Sequence, residues 1–155
     1  MATKLNSMRM LDQRKITYTV REYPDTIHSA NGVADYFNLS HDLVYKTLVV
    51  MSSQNKPLLV LVAGSRELDL KLFAKSIGEK RVQMPLHKEA ERLTGLLTGG
   101  ISALALQHKN FPVYLDHTAL ELDRILVSAG QRGVNLELAV ADFIDVTKAT
   151  VVTAS

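Results

Sequence analysis

The sequence predicts a mixed α+β fold in which a largely antiparallel central sheet is wrapped by helices. Three observations carry this. DLVYKTLVVMSS and PLLVLVAGS, two β-rich runs, are joined by only Gln54-Asn55-Lys56, so they read as a hairpin of central strands. The remaining strand and helix patterns alternate irregularly instead of as repeated βαβ units, which argues against a doubly wound sheet. A chain of 155 residues, 46% hydrophobic and 22% charged, supplies apolar surface for one core and little for two. Residues 1–155 therefore read as a single domain, without internal repeat, low-complexity tract or linker.

In order, Leu5, Met8 and Leu11 recur at helical spacing and predict a short amphipathic helix over 5–14. TYTVREY alternates as a strand over 17–23 and ends at Pro24-Asp25. SANGVADYFNL reads as a helix capped by Ser29, with Val33, Tyr36 and Phe37 inward. After the hairpin, Asp69 caps a helix that carries Leu70, Leu72, Phe73 and Ile77 inward and stops at Gly78. Arg81 to Met84 reads as a short strand, and Pro85 opens a helix running to about Leu93. A glycine-dense loop follows, TGLLTGGIS. Strands are expected at 111–116, 124–130 and 134–140, with a short helix over HTALELD between the first two. Residues 142–148 suit a last helical turn or two, and ATVVTAS a terminal strand or tail.

Composition narrows the chemistry. The chain has no cysteine, which removes disulfides, thiolate nucleophiles and zinc–thiolate sites; any thiol must come with the substrate. MATKLNSMRMLDQRK is never apolar for the length of a signal peptide, and no segment reaches about 18 uninterrupted apolar residues, so the expected location is the cytoplasm and no membrane partner is expected. A net charge of +2 and dispersed basic residues permit a polyanionic partner without requiring one. The five histidines, His28, His41, His87, His108 and His117, show no HExxH and no shared helix face, so no metal site is expected. GxxxxGK[ST], GxGxxG after a strand and GxSxG are all missing, which leaves no expected cofactor.

One residue breaks its own pattern. In VYKTLVV, residues 44–50, both strand faces are mostly apolar, as in a strand covered on both sides. Lys46 stands where a hydrophobic residue is expected, and a buried ammonium needs a partner, a wet cavity or a ligand. A lysine near a strand end that snorkels to water is the alternative. Glycines supply a second signal: Gly95, Gly99 and Gly100 fall in one loop, Gly130 and Gly133 in SAGQRG. Such loops let a ligand approach the backbone, whose N–H groups can hold a carbonyl oxygen or phosphate, although ordinary turn chemistry also explains each one. With Lys46 and Ser128 they outline a pocket.

VYKTLVV, LDLKLFAK, TGLLTGGIS and VSAGQRGVNLEL, in that order and at these separations, resemble the YbaK-type aminoacyl-tRNA editing family, free-standing deacylases related to the editing domain inserted in bacterial prolyl-tRNA synthetases. The likeness runs from about residue 15 to about 145. It implies an editing-domain-like fold and hydrolysis of a mischarged aminoacyl-tRNA ester, most typically cysteine on proline tRNA. It implies no cofactor and no metal, cleavage being helped by the substrate's own thiol or a ribose hydroxyl. The partners implied are the acceptor end of an aminoacyl-tRNA and a prolyl-tRNA synthetase, with no DNA.

By this resemblance Lys46 and Ser128 are the catalytic candidates. The substrate-binding candidates are Tyr23, Ser29, Thr47, Gly99, Gly100, Gly130 and Asn135. An aminoacyl ester is already activated, so the protein need mainly orient it and stabilise the developing oxyanion. Lys46 suits the charged end of the tRNA, and Ser128 a hydrogen bond to the aminoacyl group or a water. Lys46 as base for a nucleophilic Ser128 is a second mechanism. Three departures from the family pattern, Ser29 for an aromatic residue, Ala103 for a proline and Asn135 for an acidic residue, bear on the choice of amino acid, so alanine or serine esters are alternatives. A non-catalytic module that binds tRNA or a synthetase is another.

Overall fold

The computed structural model describes residues 4–155. Its elements are α1 (Asn6–Gln13), β1 (Tyr18–Glu22), α2 (Ala30–Tyr36), β2 (Tyr45–Met51), β3 (Pro57–Ala63), α3 (Leu70–Ile77), α4 (His87–Thr94), β4 (Val113–Asp116), β5 (Arg124–Gln131), β6 (Val134–Ala139), α5 (Val140–Thr147) and β7 (Thr150–Val152). Short 3₁₀ turns cover Gln107–Lys109 and His117–Glu121. No helix among the described residues is long and apolar enough to cross a membrane.

The strands form a mixed arrangement in two sheets. One has the order β1-β6-β5, antiparallel throughout; the other has β2-β3-β4-β7, in which β2–β3 is antiparallel and both β3–β4 and β4–β7 are parallel. The two are stitched where Leu126 N–H donates to the Leu43 carbonyl at 2.9 Å, beside a parallel bridge between Val44 and Leu126. The largest cluster of buried side chains lies on the faces carrying Tyr45, Val49, Leu59, Leu61, Val127 and Leu136. A second cluster, built on Val50, Val60, Val62 and Phe73, lies under α3 on the opposite face of β2 and β3. Apolar cover on both faces is why these strands are hydrophobic at nearly every position.

Several expectations are met through local chemistry. The Ser29 hydroxyl accepts from Gly32 N–H at 3.0 Å and caps α2, the Asp69 carboxylate does the same for α3 at Leu72 N–H, and Gly78 ends α3 with φ +74°. Others change. Within the hairpin only β3 is central, whereas β2 is an edge strand. Tyr36 is 54% exposed, because Val33 and Ala34 set the buried face of the short α2 and Tyr36 only meets the Phe37 ring edge-on. The expected strand at 81–84 shrinks to one antiparallel bridge, Gln83 to Met51. Pro85 precedes α4 instead of opening it, and HTALELD forms a 3₁₀ turn.

The register of β2 decides what its free side offers. Gly64 N–H donates to the Val44 carbonyl at 2.8 Å, so Val44, Lys46, Leu48 and Val50 exchange main-chain bonds with β3. By antiparallel alternation Tyr45, Thr47, Val49 and Met51 turn theirs outward. Pro57 sits opposite Met51, at a pair that exchanges no hydrogen bond, so its missing N–H costs nothing there.

Candidate active site

The open side of β2 is closed at both ends and vacant between. At the start it meets β5 through Leu43 and Val44; at the end Met51 and Gln83 exchange N–H···O bonds of 2.8 and 3.1 Å. A cavity of about 210 Å³ fills the gap. β2 forms one wall from Val44 to Val49, Met84, Pro85, His87 and Ala90 form another, and Ser128 of β5 and Asn135 of β6 reach in from the first sheet. Tyr23 and the segment from His28 to Ala30, with Thr98, Gly99 and Ile101, complete it.

Seven of the residues singled out in the sequence thus come together: Tyr23, Ser29, Lys46, Thr47, Gly99, Ser128 and Asn135. Gly100 and Gly130 do not line this cavity. They lie along an adjoining open groove with Arg132 and Gly95, which shares His28 with the cavity. There the loops press together: a Cβ on Gly100 would stand 2.9 Å from Arg132 N, and one on Gly130 2.7 Å from the Ala105 Cβ. Gly100 N–H is spent on the Leu97 carbonyl at 2.8 Å.

Each wall group is positioned by a traceable contact. Lys46 is half-buried and makes no hydrogen bond or ion pair among the described residues, so its ammonium is free for a ligand. The Tyr23 phenol, its pKa pushed up by burial, donates to Asn135 Oδ1 at 3.0 Å, which leaves the Asn135 NH2 as a donor for whatever fills the cavity. Ser128 is buried; its Oγ accepts from Gly130 N–H at 3.2 Å and makes no bond to Lys46. A serine–lysine pair poised for nucleophilic attack is therefore not assembled. The Ser29 hydroxyl is occupied as the α2 cap.

Thr98 is held from both sides. Its N–H donates to Glu91 Oε2 at 2.8 Å, which lowers the Glu91 carboxyl pKa, and its carbonyl accepts from Arg132 Nε at 2.6 Å. This pins Gly99, whose φ of +92° suits glycine and whose missing Cβ lets the His28 backbone pass, since a Cβ would lie 3.1 Å from His28 Cα. Gly99 N–H makes no backbone hydrogen bond among the described residues. Thr47 Oγ1 is buried and, among the described residues, has no hydrogen-bond partner. The cavity therefore presents donors, Lys46, Asn135 NH2, Gly99 N–H and the Ser128 hydroxyl, around an apolar lining of Val33, Val44, Val49 and Ile101. Such a set can orient a carbonyl compound and stabilise negative charge developing on its oxygen.

His28 and His87 line the cavity although the sequence treats all five histidines as scattered. Met84, Pro85 and Thr98 were likewise unmarked. No local spacing signals them, because three separate chain segments deliver them. Among the described residues no three His, Asp or Glu side chains gather as a metal-ligand set.

The fold and this cavity define a class. A solved structure described as a candidate trans-editing enzyme for prolyl-tRNA synthetase superposes with a TM-score of 0.81 at 21% identity, covering 99% of both chains, and so shares the fold. The sequence matches the aminoacyl-tRNA editing domain over residues 25–146. It is also 37% identical over 146 residues to EbsC of Enterococcus faecalis, named as a candidate Cys-tRNA(Pro)/Cys-tRNA(Cys) deacylase, covering 93% of this chain and 88% of that one. A proline–tRNA ligase of Sulfurihydrogenibium sp. is 30% identical over 110 residues, which are 71% of this chain and 19% of the ligase. The chain belongs to the aminoacyl-tRNA editing family. Aminoacyl-tRNA editing is accordingly its function and deacylation its reaction.

Proposed function

We propose that residues 1–155 act as one cytoplasmic, metal-independent editing domain that hydrolyses the ester of cysteinyl-tRNA(Pro), with a prolyl-tRNA synthetase as the partner that supplies tRNA choice. One observation carries the reading: a half-buried, unpaired lysine shares a small cavity with an unspent glycine N–H and an oriented asparagine NH2. The name that EbsC carries, a candidate Cys-tRNA(Pro)/Cys-tRNA(Cys) deacylase, supports the amino acid and the tRNA.

The ester carbonyl carbon is attacked by water or by a nucleophile of the substrate itself, the carbonyl electrons move to oxygen, and the bond to the ribose oxygen then breaks. With water the products are the free amino acid and an uncharged tRNA. Gly99 N–H and Asn135 NH2 are the donors suited to the oxyanion. Lys46 holds the negatively charged tRNA end and offsets charge on the departing oxygen. Ser128, with one lone pair already receiving Gly130 N–H, donates to the aminoacyl group or to the attacking water. About 210 Å³ suits a small side chain together with its ester linkage.

The test is a panel of proline tRNA charged with cysteine, alanine, serine and proline, incubated with wild type and Lys46→Met. Cysteinyl ester is expected to disappear fastest, and Lys46→Met to lower kcat/KM about 100-fold, the scale of losing one group that stabilises charge in a transition state. Because Lys46 is unpaired, thermal stability should be unaltered. Turnover of no ester above the buffer rate, or full activity in Lys46→Met, overturns the proposal.

A further inference from the structure

We infer that the open edge of β2 is the docking line for the aminoacyl group itself, which pairs with Thr47 as a single residue of an added antiparallel strand. The inference deepens the deacylase reading and rests on it. Four facts converge. β2 is an edge strand held only at its ends, by Leu43 and Val44 on β5 and by Met51 on Gln83. Between those clamps the register turns the N–H and C=O of Thr47 and Val49 outward, where, among the described residues, neither β3 nor any other strand takes them. The cavity lies against this stretch. And Thr47 Oγ1 is buried at the same place with no partner.

An α-aminoacyl ester carries the same N–Cα–C=O skeleton as a residue in a strand. In a hydrogen-bonded antiparallel pair, two facing residues exchange both of their main-chain bonds. Facing Thr47, the substrate ammonium donates to the Thr47 carbonyl, and Thr47 N–H donates to the ester carbonyl oxygen. This is strand addition reduced to one residue: main-chain bonds hold the common skeleton, and the flanking face reads the side chain.

That face follows from the pairing. Facing residues project their side chains to the same side of the sheet, so the substrate side chain emerges beside Thr47, between Tyr45 and Val49 and over Ala90 and Ile101. The group it meets is the unpartnered Thr47 Oγ1. A thiol or hydroxyl on the substrate Cβ can satisfy that oxygen, and a methyl group cannot. Thr47 thus becomes the residue that separates cysteine and serine from alanine, while the strand edge is indifferent among them. Lys46 and Leu48 project to the other face, which separates the cation from the side-chain subsite.

The experiment uses a non-hydrolysable ligand, so its outcome is independent of turnover. The probe is 3′-deoxyadenosine carrying cysteine through a 3′-amide, compared with the same compound made from 3-mercaptopropionate, which lacks the α-amino group. Kd is measured by calorimetry, and the Thr47 and Val49 amide protons are followed by NMR. The cysteinyl compound is expected to move the Thr47 amide proton downfield and slow its exchange. Losing the ammonium is expected to weaken binding about 10- to 150-fold, the range for a hydrogen bond to a charged group. Replacing Thr47 by its α-hydroxy analogue, which deletes that N–H and leaves the Lys46 carbonyl bonded to Val62 as a weaker ester acceptor, should weaken the cysteinyl compound about 2- to 12-fold with only a small fall in Tm. Absence of binding, equal affinity for both compounds, or Thr47 and Val49 amides that do not respond would each overturn the strand-edge pairing. If the pairing is seen while the ester panel shows no turnover, the deacylase reading alone is at fault.

Discussion

Thr47→Val is the most informative single change, because it separates the structural cost of the orphaned hydroxyl from its use. Valine keeps the β-branched shape on a strand and replaces Oγ1 by a methyl group. A buried hydroxyl with no partner costs about 1–3 kcal/mol relative to a satisfied one, and Oγ1 is shielded from solvent without a partner. Taking the low end of that range, about 1 kcal/mol of stabilisation is expected. At about 2.1 cal/mol/K per residue, a chain of 155 residues has an unfolding entropy near 0.33 kcal/mol/K, so Tm should rise by about 3 °C. Calorimetry of the two proteins measures it. In the ester panel the same variant should lose one hydrogen bond to cysteine and none to alanine, which reduces the cysteine-over-alanine preference about 2- to 12-fold. A fall in Tm of more than about 3 °C would mean that Oγ1 is satisfied in the folded protein. An unchanged preference would mean that the substrate side chain does not lie beside it.

Two further outcomes follow from the site's geometry. Gly99→Ala adds a methyl group 3.1 Å from His28 Cα at a backbone φ of +92°, so a loss of about 1–2 kcal/mol, or about 3–6 °C in Tm, is expected together with at least a tenfold drop in kcat/KM; wild-type activity would show that the loop is not pressed on His28. Burial raises the Tyr23 and Tyr45 phenol pKa values above the ordinary 10.0. The unfolded chain then releases these protons first as pH rises. Their contribution to stability is complete below pH 10 and is lost as pH climbs through 10 towards the raised values. Urea unfolding from pH 9 to about 11.5, with absorbance at about 295 nm reporting tyrosinate, checks it. Ordinary titration of both phenols in the folded protein would refute the burial argument.

How much was legible in the sequence depended on distance along the chain. The hairpin, the Ser29 and Asp69 caps and the Gly78 stop are set by residues within a turn or two, and all were readable. The two parallel pairings of β4 join segments far apart in sequence, so no local pattern announced them or the division into two sheets. The site divides in the same way. Lys46 was visible because it contradicts its own strand, and Ser128 and Gly99 through the ordered motifs. His28, His87 and Met84 have no contradiction to show; they become site residues only when three segments converge on β2.

The misplacement of β2 is the most instructive difference. A strand that is apolar on both faces was expected to be central, yet it forms an edge. Side chains report what covers the faces of a strand, and here both faces are covered, by the main core and by the cluster under α3. They carry no information about the third direction, along the hydrogen bonds, where an unpaired edge invites association with any other strand. Two clamps, at Leu126 and Gln83, shorten that hazard to the stretch around Thr47 and Val49, and the cavity walls leave room there for something the size of one residue. Lys46 is consistent with this placement: a lysine in the middle of a fully paired strand would strand its charge, whereas one on an edge that opens into a cavity keeps an exit for its ammonium. The feature that looked anomalous in the sequence is thus what an edge strand needs if its free side is to receive a charged, strand-like substrate instead of another protein.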